Sequence, residues 1–255
     1  MGILNVTPDS FSDGGKYTHL EMAINKAEQM VAEGADIIDI GGESTRPGAA
    51  DVSVQEEIDR VIPLVTALKC EGITVSVDTS KPEVMEQAIQ AGADMINDVR
   101  ALSLPGAMEV MARYNKPVCL MHMQGQPRSM QNDPQYDNVV EEVYQYLEQR
   151  IKACVKAGIN AEMISIDPGF GFGKNLSHNV ALLNNLDVFK KLQKPLLVGM
   201  SRKRMVGEMT GKEVEERLAG SLAVALIAMQ NGANIVRVHD VKETCDVKKI
   251  FLQMQ

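Results

Sequence analysis

The sequence predicts an α/β protein, a single (β/α)8 TIM barrel that spans residues 1–255. Short apolar runs alternate along the chain with segments in which apolar residues recur every three or four positions, which indicates strands alternating with helices. Eight such units follow one another without a break in composition, and eight units fill one closed barrel of this size. A doubly wound open sheet is the alternative, and the continuous composition, without a linker, disfavours it.

The predicted strands are short apolar runs, and strict alternation with helices implies that they are parallel and joined by right-handed crossovers. They cover residues 3–6, 35–40, 73–78, 95–99, 117–122, 163–166, 195–200 and 235–238. A glycine stands between helix and strand in several units, where it is typical of a helix stop. These glycines are Gly34, Gly92, Gly158 and Gly232.

The predicted helices begin at recognisable signals. Ser53 and Glu56 have the spacing of a capping box, and so do Ser80 and Glu83, so each pair is predicted to start a helix. Pro63 lies inside the apolar series that follows Ser53, and we expect it to kink or split that helix.

Composition and charge exclude several classes of protein. The net charge of −8 disfavours a general nucleic-acid or anionic-membrane surface. We expect no membrane partner, because no apolar run is long enough to span a bilayer and the first residues do not resemble a signal peptide. The four cysteines are scattered without a C-x-x-C spacing, which is typical of reduced packing residues in a cytoplasmic protein.

Polar residues follow nearly every predicted strand, at the end of the barrel where active sites lie. They are Asn5, Asp39 with Glu43, Asp78, Asn97, His122, Asp167, the loop 201–203, and Arg237 with His239. An ordinary strand end would explain Asp39, and we interpret His122, between two methionines, as a packed core residue. Burying the other charges without partners would be costly, so together they indicate a site.

The first half of this set suits a flat heterocycle with amide and amine edges. Asp78, Asn97, Asp167 and Lys203 combine hydrogen-bond donors and acceptors. A carboxylate can accept two hydrogen bonds from a guanidine-like edge. The second half, Arg46, Arg237, His239 and Asn5, suits phosphate. Asn5 alone would be a weak Mg²⁺ ligand, and phosphate oxygens and water would complete the shell.

The stretch Asp167-Pro-Gly-Phe-Gly-Phe-Gly-Lys174 follows the sixth predicted strand. Its three glycines permit positive φ and remove the Cβ atoms that would keep a ligand away. It is not a phosphate-binding Walker loop, because Asn175 follows Lys174 where Ser or Thr is required. A plain strand-to-helix turn is the alternative. Its position among the other polar strand ends favours Asp167 as the anchor of the heterocycle, with Phe172 beside it and no role for Lys174.

Five segments together resemble the dihydropteroate synthase family of pterin-binding barrels. They are residues 5–15, 42–48, 167–174, 201–203 and 237–240. The resemblance implies a (β/α)8 barrel, usually a homodimer, that uses Mg²⁺ in folate biosynthesis. It joins 4-aminobenzoate to a dihydropterin that carries a hydroxymethyl diphosphate, and it releases pyrophosphate in an SN1-like reaction. Sulfonamides, which mimic aminobenzoate, inhibit the family.

The resemblance also implies a position for each ligand in this sequence. The pterin would contact Asp78, Asn97, Met121, Asp167, Phe172, Gly199 and Lys203, of which Asp78, Asp167 and Lys203 would be catalytic. The diphosphate would contact Asn5, Ser44, Arg46, Arg237 and His239, with Mg²⁺ on Asn5. Aminobenzoate would contact Phe11, Asp13, Thr45, Arg46, Pro47, Phe172, Lys203 and Arg204.

Two departures and three rival functions accompany the resemblance. Family members usually carry an N-terminal hairpin that plugs the barrel floor, and we expect it to be largely absent here; Arg204 stands where some members have Ser. A corrinoid-dependent methyltransferase barrel would share the pterin residues but would not need the cations. A non-catalytic pterin-binding paralogue would have lost a diphosphate residue. A phosphate-binding barrel lyase would give Asp167 no role.

Overall fold

A computed structural model describes residues 1–6, 16–44, 51–125, 130–131 and 133–254 of the chain. Its strands are β1 Gly2–Asn5, β2 Ile38–Gly41, β3 Val75–Asp78, β4 Met95–Asp98, β5 Val118–Met121, β6 Ile164–Asp167, β7 Leu197–Val198 and β8 Ile235–Val236. The α-helices in the described ranges are α1 Lys16–Ala32, α2 Val54–Cys70, α3 Pro82–Gln90, α4 Ala107–Tyr114, α5 Val139–Lys156, α6 Leu176–Asn184, α7 Arg204–Thr210, α8 Leu218–Gln230 and α9 Val241–Gln253.

The strands form a closed parallel ring in chain order. Strands β1 to β6 pair consecutively, and β7 pairs with β8. A parallel bridge between Ile166 and Leu196 joins β6 to β7, and another between Gly2 and Val238 joins β8 to β1. The amide of Ile3 donates to the Val238 carbonyl at 2.9 Å across this seam. The predicted barrel is therefore confirmed, since an open doubly wound sheet would have two unpaired edges.

The core explains why the strands are short apolar runs rather than alternating ones. Side chains of β2 to β6 are buried on both faces, because one face lines the barrel interior and the other packs against helices. Ile38 and Ile40 of β2 pack in one cluster, and Phe170 and Phe189 in another. Cys119 lies in a third, smaller cluster. The chain thus holds its strand ends on a rigid frame.

Helix α2 confirms the predicted cap and excludes one of the two outcomes expected of Pro63, the split of the helix. Ser53 is its N-cap, as predicted, and accepts a hydrogen bond from the Glu56 amide at 3.2 Å. Pro63, however, neither splits nor ends the helix, which continues to Cys70. Pro63 and Asp59 are both exposed. The Asp59 carbonyl, which loses its helical donor to the proline, can therefore be hydrated instead.

Two further elements differ from the prediction. Ser80 does not cap α3; Lys81 is the N-cap residue and makes no side-chain cap bond. Ser80 instead donates to the buried carboxylate of Asp98, at the end of β4. Helix α7, which contains Gly207, is not predicted by the sequence pattern, because it is short and follows a polar segment read as a loop.

Candidate functional site

The strand register brings three of the predicted polar strand ends to one level of the barrel rim. Asn5 lies beside Gly41, Gly41 beside Asp78, and Asp78 beside Asn97. A Cβ atom on Gly41 would lie 3.2 Å from Asn5 Oδ1 and 3.9 Å from Asp78 Cβ. Glycine at this position therefore leaves the two side chains room to share the rim. The juxtaposition of Asn5, Asp78 and Asn97 expected from the sequence is present.

Arg237, which follows β8, reaches across this level to two carboxylates. Its Nε lies 2.5 Å from Asp39 Oδ2, and one terminal nitrogen lies 2.9 Å from Asp78 Oδ2. Asn97 Nδ2 donates to the same Asp39 oxygen at 3.2 Å. Asp39, which an ordinary strand end would have explained, is fully buried and connects these residues. Asp78 and Asn97, predicted for the heterocycle, and Arg237, predicted for phosphate, therefore form one hydrogen-bonded group with Asp39.

The electrostatics of this group follow from burial and shared charge. Burial raises the pKa of Asp78 to about 7; Arg237 opposes this shift, and Asp39 adds to it. Burial disfavours the Arg237 cation, but Asp39 and Asp78 outweigh it and raise its pKa. Two carboxylates thus share one guanidinium. When Asp78 is ionised, its charge in this low-dielectric rim acts strongly on a nearby cation.

Asp167, the last residue of β6, lies near Lys203, the N-cap residue of α7. Asp167 is buried, and its Oδ1 accepts a hydrogen bond from the Gly169 amide at 2.7 Å. Burial raises its pKa, and Lys203 opposes the shift. Lys203 Nζ donates to the Phe170 carbonyl at 2.5 Å and lies 4.5 Å from the centre of the Phe172 ring. Burial lowers the pKa of Lys203 to about 8, against the attraction of Asp167.

Gly199 connects this second group to the first. A Cβ atom on Gly199 would lie 3.8 Å from Arg237 Cβ and 3.9 Å from Lys203 Nζ. Gly199 therefore faces both cations. Met121 is buried and lies beside Asp167, with which it pairs in register. The residues predicted to contact the pterin are thus brought together by β3 to β8.

The glycines of residues 169–173 serve a different purpose from the one expected. Gly169 has φ of +72° and Gly173 of +63°, which glycine adopts without strain. A Cβ atom on Gly169 would overlap the His122 carbonyl oxygen, and one on Gly173 the Gln124 carbonyl oxygen. These two glycines therefore admit the protein's own backbone after β5, rather than a ligand. Gly171 faces Lys203, whose Cδ would lie 3.2 Å from an added Cβ.

Lys174 holds the loop 169–173 through hydrogen bonds to its carbonyl groups. Its side chain is buried, and Nζ donates to the carbonyls of Gly169 at 2.9 Å and Phe172 at 3.0 Å. It also lies 2.9 Å from His122 Nδ1. Burial lowers the pKa of Lys174 well below its usual value; burial and Lys174 lower that of His122 to about 2. His122 is thus a packed residue, as interpreted. The positioning role of Lys174 is not evident from the sequence.

The segment after β7 contains three cations, Arg202, Lys203 and Arg204, which have different partners. Arg202 Nε lies 2.9 Å from Asp240 Oδ2, so this cation fixes the turn. The backbone amide of His239 donates to Ser201 Oγ at 3.2 Å, which ties the ends of β7 and β8 together. The Arg204 guanidinium is exposed and pairs with Glu208 at 2.6 Å. Of the predicted cations in this segment, Lys203 is the one held beside Asp167.

Several predicted residues lie outside the described part of the chain. They are Phe11, Asp13, Thr45, Arg46 and Pro47. Ser44, the last described residue before this gap, is half-buried. Before and after the gap, the chain is held by Glu43, which accepts from the Val52 amide at 3.0 Å and pairs with Lys81 at 2.8 Å. Lys81 in turn pairs at 2.5 Å with Glu57, which is buried.

Comparison with known proteins identifies the family. The pterin binding enzyme model matches residues 1–239. Dihydropteroate synthase of Escherichia coli K12 is 56% identical over 251 residues, covering 98% of this chain and 89% of the relative. That of Haemophilus influenzae is 52% identical, with 98% and 92% covered.

Solved structures give the same result. The Yersinia pestis dihydropteroate synthase in a sulfonamide drug complex has a TM-score of 0.95 at 52% identity, covering 100% of this chain and 93% of its own. The Xanthomonas albilineans enzyme in complex with 7,8-dihydropteroate has a TM-score of 0.91 at 49% identity, covering 100% and 92%. No helix in the described ranges is long and apolar enough to cross a membrane. The chain therefore belongs to the pterin-binding enzymes, in their dihydropteroate synthase family.

Proposed function

We propose that this chain is one catalytic domain that condenses 4-aminobenzoate with (7,8-dihydropterin-6-yl)methyl diphosphate, giving 7,8-dihydropteroate and pyrophosphate. The observation that supports this most is the shared rim on which Asp78, Asn97 and Asp167 lie beside Arg237 and Lys203. The similarity to the Escherichia coli dihydropteroate synthase and to the Xanthomonas albilineans complex with 7,8-dihydropteroate supports the same reaction.

The pterin lies between the two groups of polar residues. Asp167 accepts hydrogen bonds from its amine edge, because a carboxylate can serve two N–H donors at once. Asp78 and Asn97 contact the opposite part of the ring system. Met121, Gly199 and Phe172 line the slot, and Lys203 completes it. Met121, Gly199 and Phe172 are uncharged, so this part of the slot suits a flat ring.

The reaction needs no protein nucleophile. The bond between the exocyclic carbon and the diphosphate oxygen breaks, and its electron pair leaves with pyrophosphate. The carbon becomes cationic, with its charge delocalised into the pterin. Asp78 and Asp167 stabilise that charge, and preorganised electrostatics of this kind is often the largest catalytic contribution. The amine lone pair of aminobenzoate then forms the carbon–nitrogen bond, and the amine proton passes to solvent.

The diphosphate lies among Asn5, Ser44, Arg237 and His239, with Arg46 from outside the described residues. The ion pairs of Arg237 engage Nε and one terminal nitrogen, and a guanidinium offers five N–H donors in all. Asn5 Oδ1, at the rim, fits an oxygen ligand of Mg²⁺. Bound there with diphosphate oxygens, Mg²⁺ would supply charge neutralisation of the departing pyrophosphate. The described residues contain no cluster of three or more His, Cys, Asp or Glu that could hold a metal.

Aminobenzoate lies on the outer side of the pterin, against Phe172 and Lys203. The backbone near Arg204 faces it, since the Arg204 side chain is engaged with Glu208. Phe11, Asp13, Thr45, Arg46 and Pro47 complete this region. Sulfonamides occupy it in place of aminobenzoate, and the sulfonamide complex of the Yersinia pestis relative supports this assignment.

The protein acts as a cytoplasmic homodimer without nucleic-acid or membrane partners. Four free cysteines, of which Cys119 and Cys154 are buried, support a reducing compartment. Exposed apolar side chains on the neighbouring helices α7 and α8, Met209 and Ile227, support self-association. Sedimentation of the purified protein tests the dimer, and a monomer at micromolar concentration would contradict it.

Turnover tests the proposed reaction directly. The protein is mixed with the pterin diphosphate, aminobenzoate and Mg²⁺, and pyrophosphate release is measured. We expect release that depends on all three components. Tight pterin binding without release would favour a non-catalytic paralogue, and methyl transfer from a reduced folate to a corrinoid would favour the methyltransferase barrel.

A further inference from the structure

Asp39 is a buried carboxylate to which the proposed reaction assigns no role. It lies in β2, two residues before Gly41, so both face the barrel interior. Its Oδ2 accepts from Arg237 Nε at 2.5 Å and from Asn97 Nδ2 at 3.2 Å. One carboxylate oxygen therefore contacts a residue assigned to diphosphate and a residue assigned to the pterin.

We propose that Asp39 is a positioning residue that holds Arg237 across Asp78 and orients the Asn97 amide, and so sets both halves of the site. The inference rests on the proposed function, which assigns Arg237 to the diphosphate and Asn97 to the pterin. Asp39 acts through these residues and does not touch either substrate itself.

The orientation of Asn97 follows from the chemistry of a carboxylate. The Asp39 carboxylate accepts the hydrogen bond, so Asn97 turns its NH₂ group toward it. The Asn97 carbonyl oxygen then points the other way, as an acceptor for N–H groups of the pterin. An amide in place of the Asp39 carboxylate would remove this constraint, because it can donate as well as accept.

The charge of Asp39 also changes what Arg237 does. Alone with Asp78, the guanidinium would neutralise that carboxylate; shared with Asp39, it leaves a net negative charge beside the cationic carbon. Three carboxylates raise the pKa of Asp78 besides the effect of burial, namely Asp39, Asp98 and Glu57, while Arg237 lowers it. Removal of the Asp39 charge should therefore lower the pKa of Asp78.

A role in stability alone does not account for Asp39. Its side chain is fully buried, and its Oδ1 has no hydrogen-bond partner among the described residues. A buried carboxylate that leaves one oxygen unpaired is a poor stabiliser, because its desolvation is costly. The burial of Asp39 costs stability, and the positioning of Arg237 and Asn97 explains why a carboxylate is nevertheless buried there.

The test uses the full chain with Asp39→Asn and measures binding rather than turnover. Calorimetry of the pterin diphosphate and, separately, of pyrophosphate gives the affinity of each half. We expect both affinities to fall at least tenfold, and the acid limb of the pH profile for pterin binding to move to lower pH. Unchanged affinities and an unchanged limb would overturn the proposal.

Asp98→Asn is the matched control. Asp98 is also buried at a strand end and also raises the pKa of Asp78, but its hydrogen-bond partners are Ser80 and the amides of Arg100 and Leu102. We expect this variant to lose stability and to keep both affinities within a factor of three. Equal loss of affinity in the two variants would show that any buried charge has this effect.

Two further measurements distinguish failure of the proposal from misfolding of the variant and from absence of the proposed reaction. If Asp39→Asn does not fold, Asp39→Glu replaces it, because it keeps the charge but displaces the carboxylate. Both affinities should then fall while the acid limb stays near pH 7; unchanged affinities would again refute the positioning role. Wild-type turnover is measured in parallel. Its absence would refute the proposed reaction, whereas the affinity ratios still decide the role of Asp39.

Discussion

Gly169→Ala tests whether the loop after β6 is held against the strand end of β5. Its matched control is Gly72→Ala, because both glycines have φ of +72°. Gly72 has no atom within 4 Å of an added Cβ. At Gly169 the same Cβ would overlap the His122 carbonyl oxygen and lie 3.0 Å from its carbon and 3.3 Å from Met121 Cγ. The difference between the variants therefore isolates the steric contact from the backbone preference.

The magnitudes follow from these contacts. A left-handed alanine costs about 1–2 kcal/mol, which is the whole expected effect of Gly72→Ala. Gly169→Ala adds about 1–3 kcal/mol for overpacking against fixed backbone, about 2–5 kcal/mol in all. For a chain of this size each kcal/mol lowers Tm by roughly 2–4 °C. We expect Gly169→Ala to melt several degrees below Gly72→Ala.

The affinity for the pterin diphosphate gives a second, independent comparison of the two variants. The Gly169 amide donates to Asp167 Oδ1, so a displaced loop should also displace the proposed pterin anchor. Thermal unfolding and calorimetry of the pterin diphosphate are measured on both variants. We expect pterin affinity to fall at least tenfold in Gly169→Ala and to stay near wild type in Gly72→Ala. Equal melting temperatures and equal affinities would refute the close approach of the two loops.

Two other predictions concern buried charges. Lys174→Met removes the donor to two buried carbonyls, which costs about 1–3 kcal/mol for each unpaired group. Tm should therefore fall by roughly 4 °C or more, and pterin affinity should fall with it. An unchanged Tm would contradict the role of Lys174 in holding the loop 169–173. The pH profile of kcat/KM for the pterin diphosphate should be bell-shaped, with limbs near 7 and 8. Activity falls below about pH 7 as Asp78 is protonated and above about pH 8 as Lys203 loses its proton. Lys203→Arg should remove the alkaline limb, because arginine keeps its proton. An alkaline limb that persists in this variant would belong to another group.

The barrel and most of the rim could be predicted from local sequence pattern. Strand ends are set by short-range periodicity, and a closed parallel barrel brings all those ends to one rim. The positions of Asn5, Asp78, Asn97 and Asp167 in the sequence are therefore enough to predict that they lie at the rim. The same reasoning predicted the cap at Ser53, which depends on contacts three residues apart.

Pairings between distant elements could not be predicted in this way. Asp39 and Arg237 are 198 residues apart, and their ion pair depends on how β8 closes against β1. Ser80 has the spacing of a cap, yet the buried Asp98 competes for its hydroxyl. Local pattern gives the type of each group, while its partner is decided by tertiary packing.

The stretch 167–174 shows the same limit within one motif. The sequence predicts that its glycines allow a ligand to approach, but at Gly169 and Gly173 the neighbour is backbone from the segment after β5. Lys174 does not fit a phosphate loop, and in the structure it holds the loop in place. A single sequence shows that a position is constrained without showing which contact constrains it.

Calorimetric titration of the pterin diphosphate into wild type and Asp167→Ala tests the central assignment most directly. Asp167 is the buried carboxylate proposed to bind the amine edge of the ring, and charged hydrogen bonds of this kind are the strong ones. We expect wild type to bind and Asp167→Ala to lose at least a hundredfold in affinity while it remains folded by circular dichroism. Unchanged affinity in a folded variant would contradict the assignment of the pterin to this rim.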